Sequence, residues 1–142
     1  MNVTVTRTHP DAVLPEYQTF GAACFDLVCI EDTTIAPKEI AFLHTGLVFC
    51  VPEGYMLMIA PRSSMPKRTG LIMPHSIGII DQDYCGPKDE LLIQIQNPTD
   101  APVTVRKGDR ICQAGFVRVD RAEWVEGPST VETSRGGFGS TG

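Results

Sequence analysis

Two linked stretches set the class of the fold: Leu71-Ile72-Met73-Pro74-His75-Ser76-Ile77-Gly78-Ile79-Ile80-Asp81-Gln82-Asp83-Tyr84-Cys85-Gly86, then Leu91-Leu92-Ile93-Gln94-Ile95-Gln96-Asn97. From Leu92 onward apolar and polar residues alternate, the period of a strand with one buried face. Apolar arms around the polar Asp-Gln-Asp-Tyr-Cys-Gly segment read as a hairpin. The same reading spreads outward along the chain. Residues 3–7 alternate, 55–60 (Tyr-Met-Leu-Met-Ile-Ala) form a short strand, and 103–105 and 111–119 give two more, joined by Arg106 to Arg110. Ala36-Pro37-Lys38 and Val51-Pro52-Glu53-Gly54 are turn signals that bracket Ile40 to Val51. No run before Pro61 keeps a helical period free of Pro or Gly, and one short helical stretch fits within 61–72. With 11 prolines and 13 glycines at short intervals, the pattern is that of an all-β barrel or jelly roll.

A chain of 142 residues has room for one domain with a real core and not for two ordinary ones. From Asp120 the density of apolar residues falls, which divides the chain into a barrel over residues 1–124 and an arm over 125–142. Twelve Lys+Arg against 17 Asp+Glu give a net charge of −5, and no basic block stands out, against a general nucleic-acid binder. A triphosphate ligand stays compatible, because a few local cations and a metal meet its charge. No apolar run approaches membrane-spanning length. The polar start Met1-Asn2-Val3-Thr4 lacks the features of a signal peptide, so a cytoplasmic protein without membrane partners is expected. Five scattered cysteines (24, 29, 50, 85 and 112) then read as reduced, mostly buried thiols.

Several polar residues stand out from this background. Asp26 sits in the apolar run Phe20 to Ile30. It is either a surface residue of a half-buried strand or a carboxylate tied to a buried partner; so apolar a run favours the second. Arg62, Ser63 and Ser64 leave a strand end together, with Lys67 and Arg68 a turn later. That grouping suits an anion cradle, and equally a basic solvated loop. Asp81 and Asp83 would share a face if the strand continued regularly, so that one is salt-bridged or one is poised as a base. Gln113, a neutral donor in an apolar strand, needs a hydrogen-bonding partner. The last residues, Arg135-Gly136-Gly137-Phe138-Gly139-Ser140-Thr141-Gly142, combine close-approach glycines, two hydroxyls, a guanidinium and one ring. They read as a linker end or as a flap over a ligand with phosphates at one end and a planar ring at the other.

Five segments, in order, resemble the five motifs of the trimeric deoxyuridine triphosphatases (dUTPases). They are Ala22-Ala23-Cys24-Phe25-Asp26-Leu27, Pro61-Arg62-Ser63-Ser64, Gly78 to Gly86, Gly108-Asp109-Arg110-Ile111-Cys112-Gln113, and Arg135 to Gly142. The resemblance implies a distorted jelly-roll-like β barrel forming a homotrimer, with sites between subunits and the C-terminal arm closing a neighbour's site. It implies hydrolysis of dUTP to dUMP and pyrophosphate, with Mg²⁺ on the triphosphate, lowering dUTP and supplying dUMP for thymidylate synthesis. Asp81 matches the family's water-orienting base, and Tyr84 the ring under the deoxyribose that leaves no space for a 2′-hydroxyl. Arg62, Ser63, Ser64 and Gln113 match phosphate contacts. His75, Gly78, Ile79, Ile80 and Leu92 fall where uracil and sugar are held. Phe138 would stack on uracil while Arg135, Gly139, Ser140 and Thr141 close over the phosphates. No side chain is expected to bind the metal directly; Asp26 would be a support, either structural or linked to the metal's waters.

Cys24, Ser64 and His75 depart from the family's usual residues, and Pro87-Lys88-Asp89 looks like an insertion. They bear on uracil recognition and leave the water-activating set intact. Two other ligand-binding readings follow from the same fold, beside a structural jelly-roll subunit with no ligand, for which five polar motifs would be an odd coincidence. A dCTP deaminase would place a glutamate where Gln94 stands and would lack the glycine-rich end. A non-catalytic dUTP-binding regulator would have lost Asp81 or the tail.

Overall fold

The computed structural model describes residues 1–137, so Phe138, Gly139, Ser140 and Thr141 lie outside the described residues. Ten short strands and one helix follow in order. They are β1 (Thr4–Arg7), β2 (Phe25–Leu27), β3 (Thr33–Ile35), β4 (Ile40–His44), β5 (Leu47–Cys50), β6 (Tyr55–Pro61), α1 (Met65–Thr69), β7 (Gly78–Ile80), β8 (Leu92–Gln96), β9 (Val103–Val105) and β10 (Cys112–Arg118). The chain is all-β apart from α1, as the alternation and turn density require. The largest sheet runs β2-β10-β6-β7, and three pairs, β1-β5, β3-β9 and β4-β8, complete the set. Every pairing is antiparallel.

The alternation read from Leu92 onward has a direct packing consequence. Ile93 and Ile95 are buried while Leu92, Gln94 and Gln96 face outward beside His44, Phe42 and Ile40 of β4. Leu43, Leu57, Val105 and Cys112 join the two isoleucines in one core drawn from all four sheets. Phe25 stacks on Phe49 at 5.8 Å and meets Tyr17 edge-on at 5.7 Å, offset and perpendicular arrangements that suit the ring quadrupole.

The hairpin expected over residues 71–97 is not formed as such. β7 pairs with β6, whereas β8 pairs with β4, so the two arms enter different sheets. The physical reason lies in the segment between them. It makes two separate turns, Tyr84 N–H to the Asp81 carbonyl (3.3 Å) and Asp89 N–H to the Gly86 carbonyl (3.1 Å), and these spread the arms instead of closing a ladder. The far end of the segment is pinned elsewhere: Glu90 accepts from the Gly46 amide at 2.7 Å and lies 3.0 Å from His44 Nδ1. Gly46 has φ 65°, and a Cβ there would come within 2.8 Å of the Ala12 Cβ, so only glycine fits.

α1 is the short helix that 61–72 allows. Pro66 occupies its first turn, and Gly70, at φ 73°, ends it with its N–H on the Pro66 carbonyl. From Asp120 to Gly137 there is neither helix nor strand and every residue is exposed. Among the described residues no helix is long and apolar enough to cross a membrane.

One buried polar residue ties three segments together. Asn97 is 0% exposed. Its Nδ2 donates to the Ile35 and Ala101 carbonyls (3.0 and 2.8 Å), and its Oδ1 accepts from the amide and hydroxyl of Thr99 (3.0 and 2.7 Å). A buried amide satisfied on both ends specifies a unique arrangement, and removing it leaves its partners unpaired. Asn97→Ala is expected to lower unfolding free energy by about 2–4 kcal/mol. Urea titration would register this as a lower midpoint at unchanged slope.

Candidate active site

The first half of the site is built where β2, β6 and β10 run side by side. Phe25 and Leu27 point into the core, so strand alternation turns Asp26 to the other face. On the adjacent central strand, Gln113 is the partner of both Asp26 and Ala60. Arg62 follows directly after β6. The Asp26 carboxylate, 11% exposed, lies 3.2 Å from Arg62 Nε and 3.5 Å from Arg110 Nη1. Asp26 is therefore a nearly buried carboxylate tied to cations, the half-buried Arg62 and the exposed Arg110, and is not a surface residue. Both contacts are ion pairs, and Oδ2 has no hydrogen-bond partner among the described residues.

Arg62 is fixed further by its Nη1, which donates to the Arg110 carbonyl at 3.0 Å, and by its own amide on the Ile111 carbonyl at 2.8 Å. Nε and Nη1 are thus spent within the protein, while Nη2 remains to meet an outside acceptor. Gln113 Nε2 donates to the Pro61 carbonyl at 3.3 Å, the partner that its burial calls for. Ser63 is exposed and Ser64 half-buried at the start of α1, where Ser64 makes no side-chain cap. Neither serine amide donates to another backbone group among the described residues. Two hydroxyls, two amides and a rigid guanidinium leave the same strand end, which suits an anion.

The second half lies on β7 and the turn after it. Gly78 is buried, and a Cβ there would press on Ile59 at 3.3 Å and approach His75 Nε2 at 3.6 Å. His75 precedes Ser76, whose φ of 66° is unusual for a non-glycine residue. Ile79 is exposed and Ile80 half-buried. Asp81 and Asp83 fall in the turn and not in a continued strand, so the like-charge repulsion of a regular strand does not arise. Neither is salt-bridged among the described residues. Both line a cleft of about 520 Å³ with Tyr55, Met56, Val119 and Arg121. The Tyr84 hydroxyl donates to the Glu90 carbonyl at 3.2 Å, which fixes a ring that is 39% exposed. Leu92 faces outward opposite His44.

The two halves do not meet within one chain. Leu57 pairs with Ile80, so Asp81 falls beside Met56, six residues from Arg62 along β6. At the rise of a strand this is roughly 20 Å. Arg135 is exposed in the segment without regular structure. Sequence reasoning gave no separate role to Arg110, the second cation on Asp26, or to Glu90, which anchors the Asp81–Leu91 segment. The signal for Arg110 was weak: a cation just before a strand looks like an ordinary turn residue until the strand order is known.

A family model described as dUTPase matches residues 11–142. The chain is 40% identical to the deoxyuridine 5′-triphosphate nucleotidohydrolase of Wolinella succinogenes, with 100% of this chain and 95% of that relative covered. Among solved structures it is similar to the dUTPase of Streptococcus mutans, with a TM-score of 0.78 and 29% identity over 87% of this chain and 100% of that one. It is also similar to the dUTPase of Staphylococcus bacteriophage 80alpha with dUPNHPP, with a TM-score of 0.86 and 26% identity over 99% of this chain and 98% of that one. With the family model spanning residues 11–142 and a relative 40% identical over the whole of this chain, the chain belongs to the dUTPase family.

Proposed function

We propose that this protein hydrolyses dUTP to dUMP and pyrophosphate in a homotrimer, with each site joining the Asp81 turn of one copy to the Arg62 cluster of another. The observation that carries this reading is the separation along β6. A base and a phosphate cradle roughly 20 Å apart cannot act on one α-phosphate, so the site is complete only when a second copy supplies the missing half. The four sheets around one core suit a jelly-roll-like barrel over residues 1–124. The exposed, strandless stretch after Asp120 suits an arm over 125–142 that delivers Arg135, Phe138, Gly139, Ser140 and Thr141 to a neighbour.

The chemistry assigned to the chain's own residues is as follows. The Asp81 carboxylate accepts a proton from a water, whose oxygen attacks the α-phosphorus as the bond to the bridging oxygen breaks. Arg62, held rigid by Asp26 and the Arg110 carbonyl, offers its outer N–H groups to the phosphate oxygens, joined by Ser63, Ser64 and Gln113. Such pre-oriented donors stabilise charge that grows in the transition state without reorganising. Tyr84, fixed by Glu90, forms the floor beneath the sugar. The backbone from His75 to Ile80, with Leu92, borders the base.

The donor set also fits the Mg²⁺ that the family resemblance implies. Asp26 Oδ2 is a buried carboxylate oxygen without a hydrogen-bond partner, yet no cluster of three or more His, Cys, Asp or Glu able to hold a metal occurs among the described residues. A magnesium ion carried by the triphosphate, with Asp26 reaching its waters, would neutralise phosphate charge.

Three tests follow. Asp81→Asn is expected to reduce kcat by about 10²–10⁴-fold while dUTP binding persists, measured by pyrophosphate release and calorimetry. Removing residues 135–142 should abolish most turnover yet leave the thermal midpoint unchanged; a fully active truncation removes the tail from the mechanism. Asp81→Asn and Arg62→Gln copies, each inactive alone, should regain turnover when refolded together. A mixture that stays inactive would overturn the shared site.

A further inference from the structure

Tyr84 is tethered at both ends. Its amide donates to the Asp81 carbonyl at 3.3 Å, and its hydroxyl donates to the Glu90 carbonyl at 3.2 Å. The residues between Tyr84 and Glu90 fold back on themselves. The Gly86 amide donates to Asp89 Oδ2 at 2.7 Å, and the Asp89 amide to the Gly86 carbonyl at 3.1 Å. That closed turn returns the chain so that Glu90 stands within reach of the hydroxyl. The ring itself is exposed, so little packing holds it and its place depends on these two bonds.

The acceptor is fixed from β5 and the turn before it. The Glu90–Leu91 peptide is planar and trans, so its N–H and C=O point in opposite directions. The N–H donates to the Leu47 carbonyl at 2.8 Å, which aims the Glu90 carbonyl away from β5 and toward Tyr84. One bond at the N–H still lets the peptide pivot. The Glu90 carboxylate adds two more points: Oε1 accepts from the Gly46 amide at 2.7 Å, and Oε2 lies 3.0 Å from His44 Nδ1. These partners are themselves held. The Gly46 carbonyl accepts from the Thr8 amide at 2.8 Å, and the fully buried Thr45 donates its hydroxyl to the Leu91 carbonyl at 2.7 Å. His44 lies in β4 opposite Leu92, with Glu31 3.9 Å from its other ring nitrogen.

We propose that the Glu90 carboxylate is a positioning residue for sugar discrimination: by stopping its own peptide from pivoting, it keeps the Tyr84 ring where a 2′-hydroxyl would clash. The proposal rests on the reading of Tyr84 as the floor beneath the sugar, and Glu90 acts through that ring. Rejection of a ligand by steric clash is a difference of affinities, and it is only as sharp as the wall is rigid. Without the carboxylate the peptide pivots, the ring follows its acceptor or loses it, and space opens for one more oxygen. The preference for deoxyribose is thereby set from the turn between β4 and β5.

The test compares kcat/KM for UTP and for dUTP in the full chain with Mg²⁺, by pyrophosphate release. Glu90→Ala is expected to raise the UTP-to-dUTP ratio by about 3–10-fold, the weight of one neutral hydrogen bond. Glu90→Gln keeps an acceptor for the Gly46 amide and should stay close to the parent ratio. Tyr84→Phe removes the hydroxyl and should raise the ratio too. The double variant carrying Tyr84→Phe and Glu90→Ala should rise no further than the larger single change, because both act through the same bond. His44→Asn, which removes one partner of the carboxylate, should give a smaller rise and keeps the test open if Glu90→Ala does not fold. Tyr84→Ala separates the two readings. If it leaves the ratio unchanged, the floor assignment fails and the proposal with it. If it raises the ratio while folded Glu90→Ala does not, or if the two effects add in the double variant, the proposal alone is overturned.

Discussion

The antiparallel register of β6 on β10, from Cys112 opposite Pro61 to Arg118 opposite Tyr55, is the constraint on which the rest of the molecule depends. It makes β10 central, with β2 on its other side. Because Gln113 is thereby opposite both Asp26 and Ala60, the carboxylate, the amide and the Arg62 guanidinium arrive at one sheet end without any loop to position them. Elements with ladder hydrogen bonds on both edges hold side chains more firmly than loops do, which suits a cradle that must not reorganise when charge develops. A one-residue slip of β2 on β10 would turn Asp26 and Gln113 to opposite faces.

The same strand sets the division of labour. β6 carries Arg62 beyond one end, and β7 pairs along its middle and leads Asp81 toward the other, so the strand sets the distance between the Arg62 cluster and Asp81. Two clusters of unlike character result. Around Asp26, two cations meet a nearly buried carboxylate, an arrangement that costs desolvation and is sustained by added hydrogen bonds. Around Asp81, the carboxylate is exposed and unpaired among the described residues, which leaves it accessible to water and able to take a proton. Glu90 stabilises this half from behind through Gly46 and His44.

Much of the fold was legible in the chain itself. Alternation over Leu92 to Gln96 and the proline and glycine spacing pointed to strands close to where they stand, with one short helix within 61–72. The burial of Asp26 followed from the apolar run around it. The hairpin expectation failed for a reason sequence pattern does not encode. Alternation identifies a strand's buried face but not its neighbour, and two apolar arms around a polar segment look alike whether they pair together or join different sheets. Arg110 escaped notice on the same ground, because its meaning depends on β2 lying beside β10.

The sequence by itself determined the all-β class and the family, because periodicity, turn residues and short motifs are local properties of the chain. Only the tertiary structure decided which strands pair, that Arg62 and Arg110 both face Asp26, and that Asp81 stands apart from Arg62. Those are relations between residues up to 89 positions apart, as in Phe25 and Ala114. They are set by sheet register and core packing, for which neither partner carries a local signature.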